Sequence, residues 1–146
     1  MVHYNKKDMK GGWHNYDMVN SGIYNYIDVL DKAMDASSLR SKAIANNIAN
    51  ADTPHYKRQD VSFAENLQRA LKNSKFETLD QKVSSLKLSR LNGTMFTDSE
   101  GYSYRLDGNN VDIDTENVQM AANQLLYNGL EQSVNSQFGV IQSVLK

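Results

Sequence analysis

The side chains best suited to acid–base or metal chemistry are few in this sequence and lie far apart. The three histidines are His3, His14 and His55, and they do not have the spacing of ligands to one metal ion. His55 directly follows Pro54 in a turn, which favours a surface or packing role. We therefore expect no catalytic or metal-binding histidine.

Two further groups of residues raise the question of ligand binding. Asp107, Asp112 and Asp114 lie near Gly108, but the segment has neither the glycine nor the glutamate that an EF-hand loop requires at its sixth and twelfth positions. No glycine-rich nucleotide loop occurs either. Tyr102 and Tyr104 could stack on bases, yet no basic patch accompanies them, so a packed strand is the preferred interpretation.

Composition narrows the classes of protein further. The 146 residues carry a net charge of −1, which gives no general attraction to nucleic acid or to an anionic membrane. The absence of cysteine excludes disulfides and thiolate sites. Residues 1–20 lack the apolar core of a secretory signal peptide, and no apolar run approaches the length of a transmembrane helix. Together these features predict a protein that is not an enzyme and binds no cofactor.

The first strong periodic segment predicts a long helix with a coiled-coil seam. Small and apolar residues recur at steps of three and four, and the helix should stop before Pro54, which disfavours the helical conformation at Thr53. We place this helix at residues 22–51, after a flexible extension at 1–21. The seam consists of Ile27, Leu30, Met34, Ser37, Ser41, Ile44, Ile48 and Ala51.

In the middle segment, residues 52–113, the sequence predicts shorter secondary-structure elements. An extended run from Tyr56 to Phe63 should lead into a short helix, whose start is marked by a capping-box pattern from Ser62 to Glu65. Asp107-Gly108 is typical of a β-hairpin turn. Alternating, strand-like residues are Leu86 and Leu88, then Tyr102, Tyr104 and Leu106, then Val111 and Ile113.

The last segment, residues 114–146, predicts a second long helix, capped by Asp114 or Thr115. Its apolar residues fall within roughly 120° of a helical wheel. The residues that we expect to pack there are Leu126, Leu130, Val134, Phe138, Ile141 and Leu145, with Tyr127 and Val144 beside them. The overall prediction is a mainly α fold in which the terminal helices pack as a coiled-coil-like hairpin around a small, partly β middle segment.

Charge is distributed very unevenly along these elements. The segment 52–114 carries 19 acidic or basic residues, whereas 36–51 and 116–145 carry two each. A helix face that is polar but poor in charge is typical of a surface buried against another protein. A soluble hairpin that merely favours amides is the alternative. Because a lone hairpin of this size has a thin core, we expect its ends to become ordered on assembly.

One motif indicates a family. The run from Ile44 to Tyr56 resembles the N-terminal signature of the flagellar rod and hook axial proteins, in which a helix ending in Asn-Asn-Ile-Ala-Asn leads into a short Thr-Pro link. The motif residues are Asn46, Asn47, Ile48, Ala49, Asn50, Ala51, Asp52, Thr53, Pro54 and Tyr56. The run 56–61 and the run 107–114 resemble the proximal rod members in particular. The likeness covers residues 22–146; residues 1–17 have no counterpart, and relatives are expected to begin near Met18.

The resemblance implies a structural subunit of the proximal rod of the flagellar basal body. Such a subunit would polymerise through its terminal helices, transmit torque and enclose the export channel. It would be exported across the inner membrane to the basal body by the flagellar type III export apparatus, without a cleaved signal. The implied partners are other copies of the chain, the sister rod protein FlgC and the adaptor FliE. FlgC itself and a cytosolic coiled-coil adaptor remain alternative identities, and the motif segment is expected to fix the turn after the first helix.

Overall fold

Two long helices, α1 (Trp13–Ala49) and α4 (Ile113–Val144), form the frame of the molecule. The computed structural model describes residues 13–76, 78–98 and 106–144, and the side chains of 22–76, 78–98 and 106–143. At 1.5 Å per residue the helices are about 55 Å and about 48 Å long. They run antiparallel, because Ser37 contacts Asn123 whereas Asn47 contacts Glu116. Of the helices described, none is long and apolar enough to cross a membrane.

The mainly α prediction with a terminal helical hairpin is confirmed, although both helix starts differ from those expected. The first helix begins at Trp13 and not at residue 22. The last begins at Ile113, and its cap is Asp112, which accepts hydrogen bonds from the Asp114 N–H at 3.1 Å and the Thr115 hydroxyl at 2.8 Å. The prediction of Asp114 or Thr115 as cap was therefore wrong, since Asp112 already satisfies the first turn.

A two-stranded antiparallel sheet crosses the middle segment. Strand β1 (Gln59–Ser62) lies within the predicted extended run and pairs with β2 (Thr94–Thr97), with Val61 opposite Met95. The second strand of the hairpin predicted at Asp107-Gly108 does not form. Val111 is buried but lies outside any strand, and Ile113 is the first residue of α4. Its first arm, with Tyr102 and Tyr104, lies outside the described residues.

Between the two strands lie short helices. The predicted helix forms as α2 (Ala64–Lys72), but Ser62 ends β1 and makes no cap, and Phe63 takes the cap position without a side-chain bond. Helix α3 (Leu79–Ser84) and a 3-10 turn (Leu88–Arg90) follow. The strand expected at Leu86 and Leu88 was wrong; alternation over so few residues does not distinguish a strand from a helical turn.

The buried core is small and sits where α1, the sheet and the start of α4 meet. Gly93 allows the close approach of β2 to α1, because a Cβ there would lie 3.0 Å from the Cβ of Ala36 and 3.1 Å from Val61 Cγ1. The buried apolar residues are Ala36, Ala43, Ile44, Ala51, Val83, Leu91 and Val111. The core therefore clamps the C-terminal half of α1 to the first turns of α4.

Candidate assembly interface

The family-like motif after α1 is held in place by Asn109, which is fully buried. Its amide nitrogen lies 3.0, 3.0 and 2.8 Å from the carbonyl oxygens of Asn50, Ala51 and Thr53, so its two N–H groups serve three acceptors. Its amide oxygen accepts from the Val111 N–H at 2.7 Å. One side chain thus ties the end of α1 to the entry of α4, and helix ends need such partners.

The turn itself contains a strained residue. His55 has a positive φ of 61°, in the left-handed region that favours Gly or Asn. Its N–H donates to the Asp107 carbonyl at 3.0 Å. Gly108 has a φ of 76°, which favours glycine, and a Cβ there would lie 2.7 Å from His55 Nδ1, so the His55 ring would have to shift. The two left-handed residues therefore fit against each other.

Asn47 joins α1 to both β1 and α4. Its side chain donates to the Gln59 carbonyl at 2.8 Å and accepts from the Gln59 N–H at 2.8 Å, as a strand neighbour would. It also donates to Glu116 Oε2 at 3.0 Å, and the Tyr56 hydroxyl donates to its amide oxygen at 3.3 Å. The motif residues Asn47 and Tyr56 thus anchor the strand that follows the turn.

A chain of charges continues from this point. The carboxylate of Glu116 is fully buried and accepts from Arg58 Nε at 2.6 Å. Arg58 Nη2 donates to Asp60 Oδ2 at 3.0 Å. Arg40 Nη2 donates to the same oxygen at 3.2 Å, whereas its Nε lies 3.0 Å from Oδ1 without hydrogen-bond alignment. Arg58 Nη1 also lies 3.9 Å from Asp98 Oδ2, so two cations and three carboxylates are grouped where α1, the start of β1 and α4 meet.

The pKa values in this network follow from burial and pairing. Burial by itself raises the pKa of Asp60, but the Val61 N–H and the charges of Arg40 and Arg58 outweigh it and lower that pKa. Burial would lower the pKa of Arg58, and the hydrogen bond and charge of Glu116, together with Asp60, raise it overall. Burial, and then the charge of Glu116, raise the pKa of Tyr56. The lowered pKa of Asp60 and the raised pKa of Arg58 therefore both favour the ionised form of this pair at neutral pH.

A second polar contact lies in the middle of the helix pair. Asn123 is buried, donates to the Ser37 carbonyl and to Ser41 Oγ, both at 2.8 Å, and accepts from Ser37 Oγ at 3.0 Å. The small residues at the centre of the α1 seam thus make room for an amide from α4. Glu116, Asn123 and Leu130 are spaced by seven residues, so they lie on the same face of α4.

The residues predicted to pack differ in how far the structure buries their side chains. Ile44 is buried, whereas Leu126 is 52% and Phe138 is 47% exposed and lie at the edges of the face that meets α1. Leu145 lies outside the described residues. The half-buried members of the set are Ile27, Leu30, Met34, Ile48, Leu130, Val134 and Ile141.

The face of α4 turned away from α1 was missed. Val118 is 67%, Leu125 73% and Val140 46% exposed, and all three fall on one side of the helix. Ala122 and Gly129 lie between them, and a Cβ at Gly129 would meet no atom within 4 Å. We call this strip the outer face of α4. Its signal in the sequence was a second three-and-four spacing, at 118, 122, 125 and 129.

The described part of the chain does not meet the requirements of a metal site. No group of three or more histidine or acidic side chains is placed there to hold a metal ion. The charged residues that do cluster are neutralised in pairs between structural elements. The arrangement of a buried polar clamp and exposed apolar helix strips is that of a structural protein that packs against others.

Comparison with known proteins identifies the family. Residues 27–57 match the family model described as flagella basal body rod protein. The chain is 34% identical to the flagellar basal body rod protein FlgB of Bacillus subtilis over 120 residues, covering 82% of this chain and 92% of that protein. It is 34% identical to FlgB of Borreliella burgdorferi, covering 82% and 95%, and 30% identical to FlgB of Escherichia coli, covering 79% and 88%.

The fold and these likenesses define a flagellar rod protein, a structural class without enzymatic activity. Within that class the chain belongs to the FlgB family of flagellar basal body rod proteins.

Proposed function

We propose that this chain polymerises in the proximal rod of the flagellar basal body through the outer face of α4. The observation that carries the proposal is the exposure of Leu125, at 73%, with Val118 and Val140 on the same strip. Exposed apolar side chains that share one side of a helix indicate a contact surface. Family membership gives the structural role in the basal body rod, and this strip supplies a means of assembly.

The absence of charge supports the same proposal. The acidic residues of α4 are Asp114, Glu116 and Glu131, and the basic ones are absent from its sequence. Asp114 lies in the first turn, Glu116 is buried in the charge network, and Glu131 lies on a different side from Leu125. A partner helix could therefore cover the outer face without burying an unpaired charge.

Small residues set how closely such a partner can approach. Ala122 and Gly129 lie one turn on either side of Leu125, and no atom of this chain covers Gly129. A Leu or Val from a neighbouring helix would fit the space above them in the manner of knobs into holes. The strip thus has the large-and-small alternation of a helix-packing surface.

The assembled helices would form the wall of a tube. In this arrangement the uncharged faces of α4 would transmit torque through packing and leave a channel that does not retain charged chains. The other partners would be FlgC, the adaptor FliE and the flagellar type III export apparatus, which would export the chain without a cleaved signal. The charged middle segment would face outward.

The test is to place a charge on the outer face. Leu125→Asp should abolish motility and remove the chain from purified basal bodies while the isolated protein keeps its helical circular dichroism. Asn135→Asp is the matched control, because it adds the same charge to an exposed position of α4 four residues from Glu131. A motile Leu125→Asp strain would contradict the proposal. Leu130→Asp is less suitable, since Leu130 is half-buried and its change would also disturb the pairing with α1.

A further inference from the structure

A basic groove opens on the side of the molecule formed by α2 and the segment after α3. It has a volume of about 520 Å³, and its charged lining residues are Arg69, Lys87 and Arg90, with the amides of Asn66 and Asn73 beside them. Among the described residues, no acidic side chain lines it. All three cations are exposed, and within the described residues none of them forms an ion pair.

The surroundings strengthen the positive charge of this groove. The segment 64–92 carries six basic and three acidic residues. One of the three acids, Asp80, accepts a hydrogen bond from the Tyr26 hydroxyl of α1 at 2.7 Å. The groove is therefore complementary to an acidic surface of a partner.

The same chain carries such a surface on α1. Asp28, Asp31 and Asp35 are exposed and recur at steps of three and four, so they form one row about 10 Å long. Lys32 lies within the row and is half-buried; three acids and one base leave this stretch with a charge of −2. Asp28 lies about 180° around the helix from Ser37, which contacts α4, so the row faces away from the helix pair.

We propose that the row at Asp28, Asp31 and Asp35 of one copy docks into the groove at Arg69, Lys87 and Arg90 of a second copy. This contact rests on the proposed polymerisation in the rod and specifies one of its interfaces. Row and groove are different patches, and no ion pair of the described residues joins them within one chain. A contact between two different patches is heterologous and leaves a free row at one end of a string of copies and a free groove at the other, which is the geometry of an open helical polymer.

The contact should set orientation more than affinity. Exposed ion pairs contribute little each and are screened by salt, whereas complementary charge steers encounter and excludes the wrong register. The outer face of α4 would supply the apolar burial, and the row and groove would determine which way the neighbour is placed.

Cysteine cross-linking tests this contact directly, because the chain contains no cysteine of its own. A copy with Asp31→Cys is mixed with a copy with Lys87→Cys under assembly conditions and oxidised, and mixed disulfide dimers are counted on a non-reducing gel. Lys72→Cys replaces Lys87→Cys in the control, since Lys72 is an exposed lysine of the same segment that does not line the groove. We expect the groove pair to give about tenfold more mixed dimer; equal yields would overturn the proposal.

A charge swap tests it in the assembled rod of the native bacterium. Changing the three aspartates to lysine, or the three groove cations to glutamate, should reduce incorporation into basal bodies, and the combination should restore it. Loss in both with no rescue would overturn the pairing of row and groove. So would cross-linking of Lys87→Cys only to another protein.

The outcome separates this contact from the proposed function. If both charge-reversed variants assemble normally while Leu125→Asp does not, the contact is wrong and the rod proposal stands. If the wild-type chain is absent from basal bodies, the rod proposal fails as well.

Discussion

Removal of the buried carboxylate at Glu116 is the sharpest test of what holds α4 to the rest of the chain. The change Glu116→Ala removes an acceptor that is fully buried and leaves Arg58, which is 17% exposed, without its closest partner at 2.6 Å. Asn47 loses one acceptor but keeps the Gln59 carbonyl. The expected damage is therefore that of a largely buried cation that has lost the closest of its acidic partners.

Breaking a buried ion pair from one side costs about 3–5 kcal/mol. Arg58 retains Asp60 at 3.0 Å, so we expect a loss of about 3 kcal/mol, at the lower end of that range. A domain with a thin core has a free energy of unfolding near the lower end of about 5–15 kcal/mol. Glu116→Ala should therefore remove about half of the stability.

Urea unfolding followed by far-UV circular dichroism measures this loss by linear extrapolation. Glu131→Ala is the matched control, because Glu131 is an exposed glutamate of the same helix, and it should change stability by less than about 0.5 kcal/mol. The double variant Arg58→Met with Glu116→Leu removes both charges, and it should be more stable than Glu116→Leu alone. If the two single losses simply add, the cost does not come from an unpaired charge and the reasoning is refuted.

Three further predictions concern the links around this network. Because the pKa of Asp60 is lowered in the folded protein, its contribution to stability is present above its unfolded pKa, near 3.8, and is lost as pH falls through the lower folded value. The urea midpoint should therefore fall as the pH is lowered below about pH 4. Asp60→Asn should flatten that fall, and a variant with the same pH profile as the wild type would contradict this prediction. Asn109→Ala deprives three carbonyls of their donor and should cost about 1–3 kcal/mol in the same urea assay; a loss comparable to that of an exposed Asn→Ala change would count against the cap. His55→Asn should stabilise the protein by about 0.5 kcal/mol, because asparagine adopts a positive φ more readily. His55→Gly should be near neutral, because glycine also loses more chain entropy on folding. A loss of stability with Asn would show that the His55 ring contributes more to stability than the backbone strain costs.

The long elements could be predicted because their signals are repeated many times along the chain. The seam from Ile27 to Ala51 spans several heptads, and Pro54 imposes a stop, so the first helix ends where expected. Its beginning at Trp13 was missed, since residues 13–21 carry a helical conformation without an apolar period. The N-cap of α4 could not be predicted as well from sequence, because Asp112, Asp114 and Thr115 are all suitable capping residues. Only the folded structure shows that Asp112 is the cap.

The polar centre of the site could not be predicted in the same way. Arg58 and Glu116 are 58 residues apart, and nothing in a single sequence indicates that they meet at 2.6 Å. The contacts of Asn109 with Asn50 and Thr53 depend on where α4 begins. One signal was available: Glu116, Asn123 and Leu130 follow one another at steps of seven residues, which puts two polar residues into a helix-packing seam.

The two sides of α4 have different tasks, and this separation follows from where its polar residues lie. Glu116 and Asn123 occupy the side that meets α1, where each finds a fixed partner, so a shift of the helix by one turn would leave a buried charge and a buried amide unpaired. Leu125, on the opposite side, is 73% exposed and is bound by no such constraint. Register within the chain is thus specified by polar groups that tolerate no slippage, while in the proposed assembly the apolar strip would supply burial against a neighbour without a fixed polar register. A subunit that must keep its own shape while it packs against different partners along a rod needs this division.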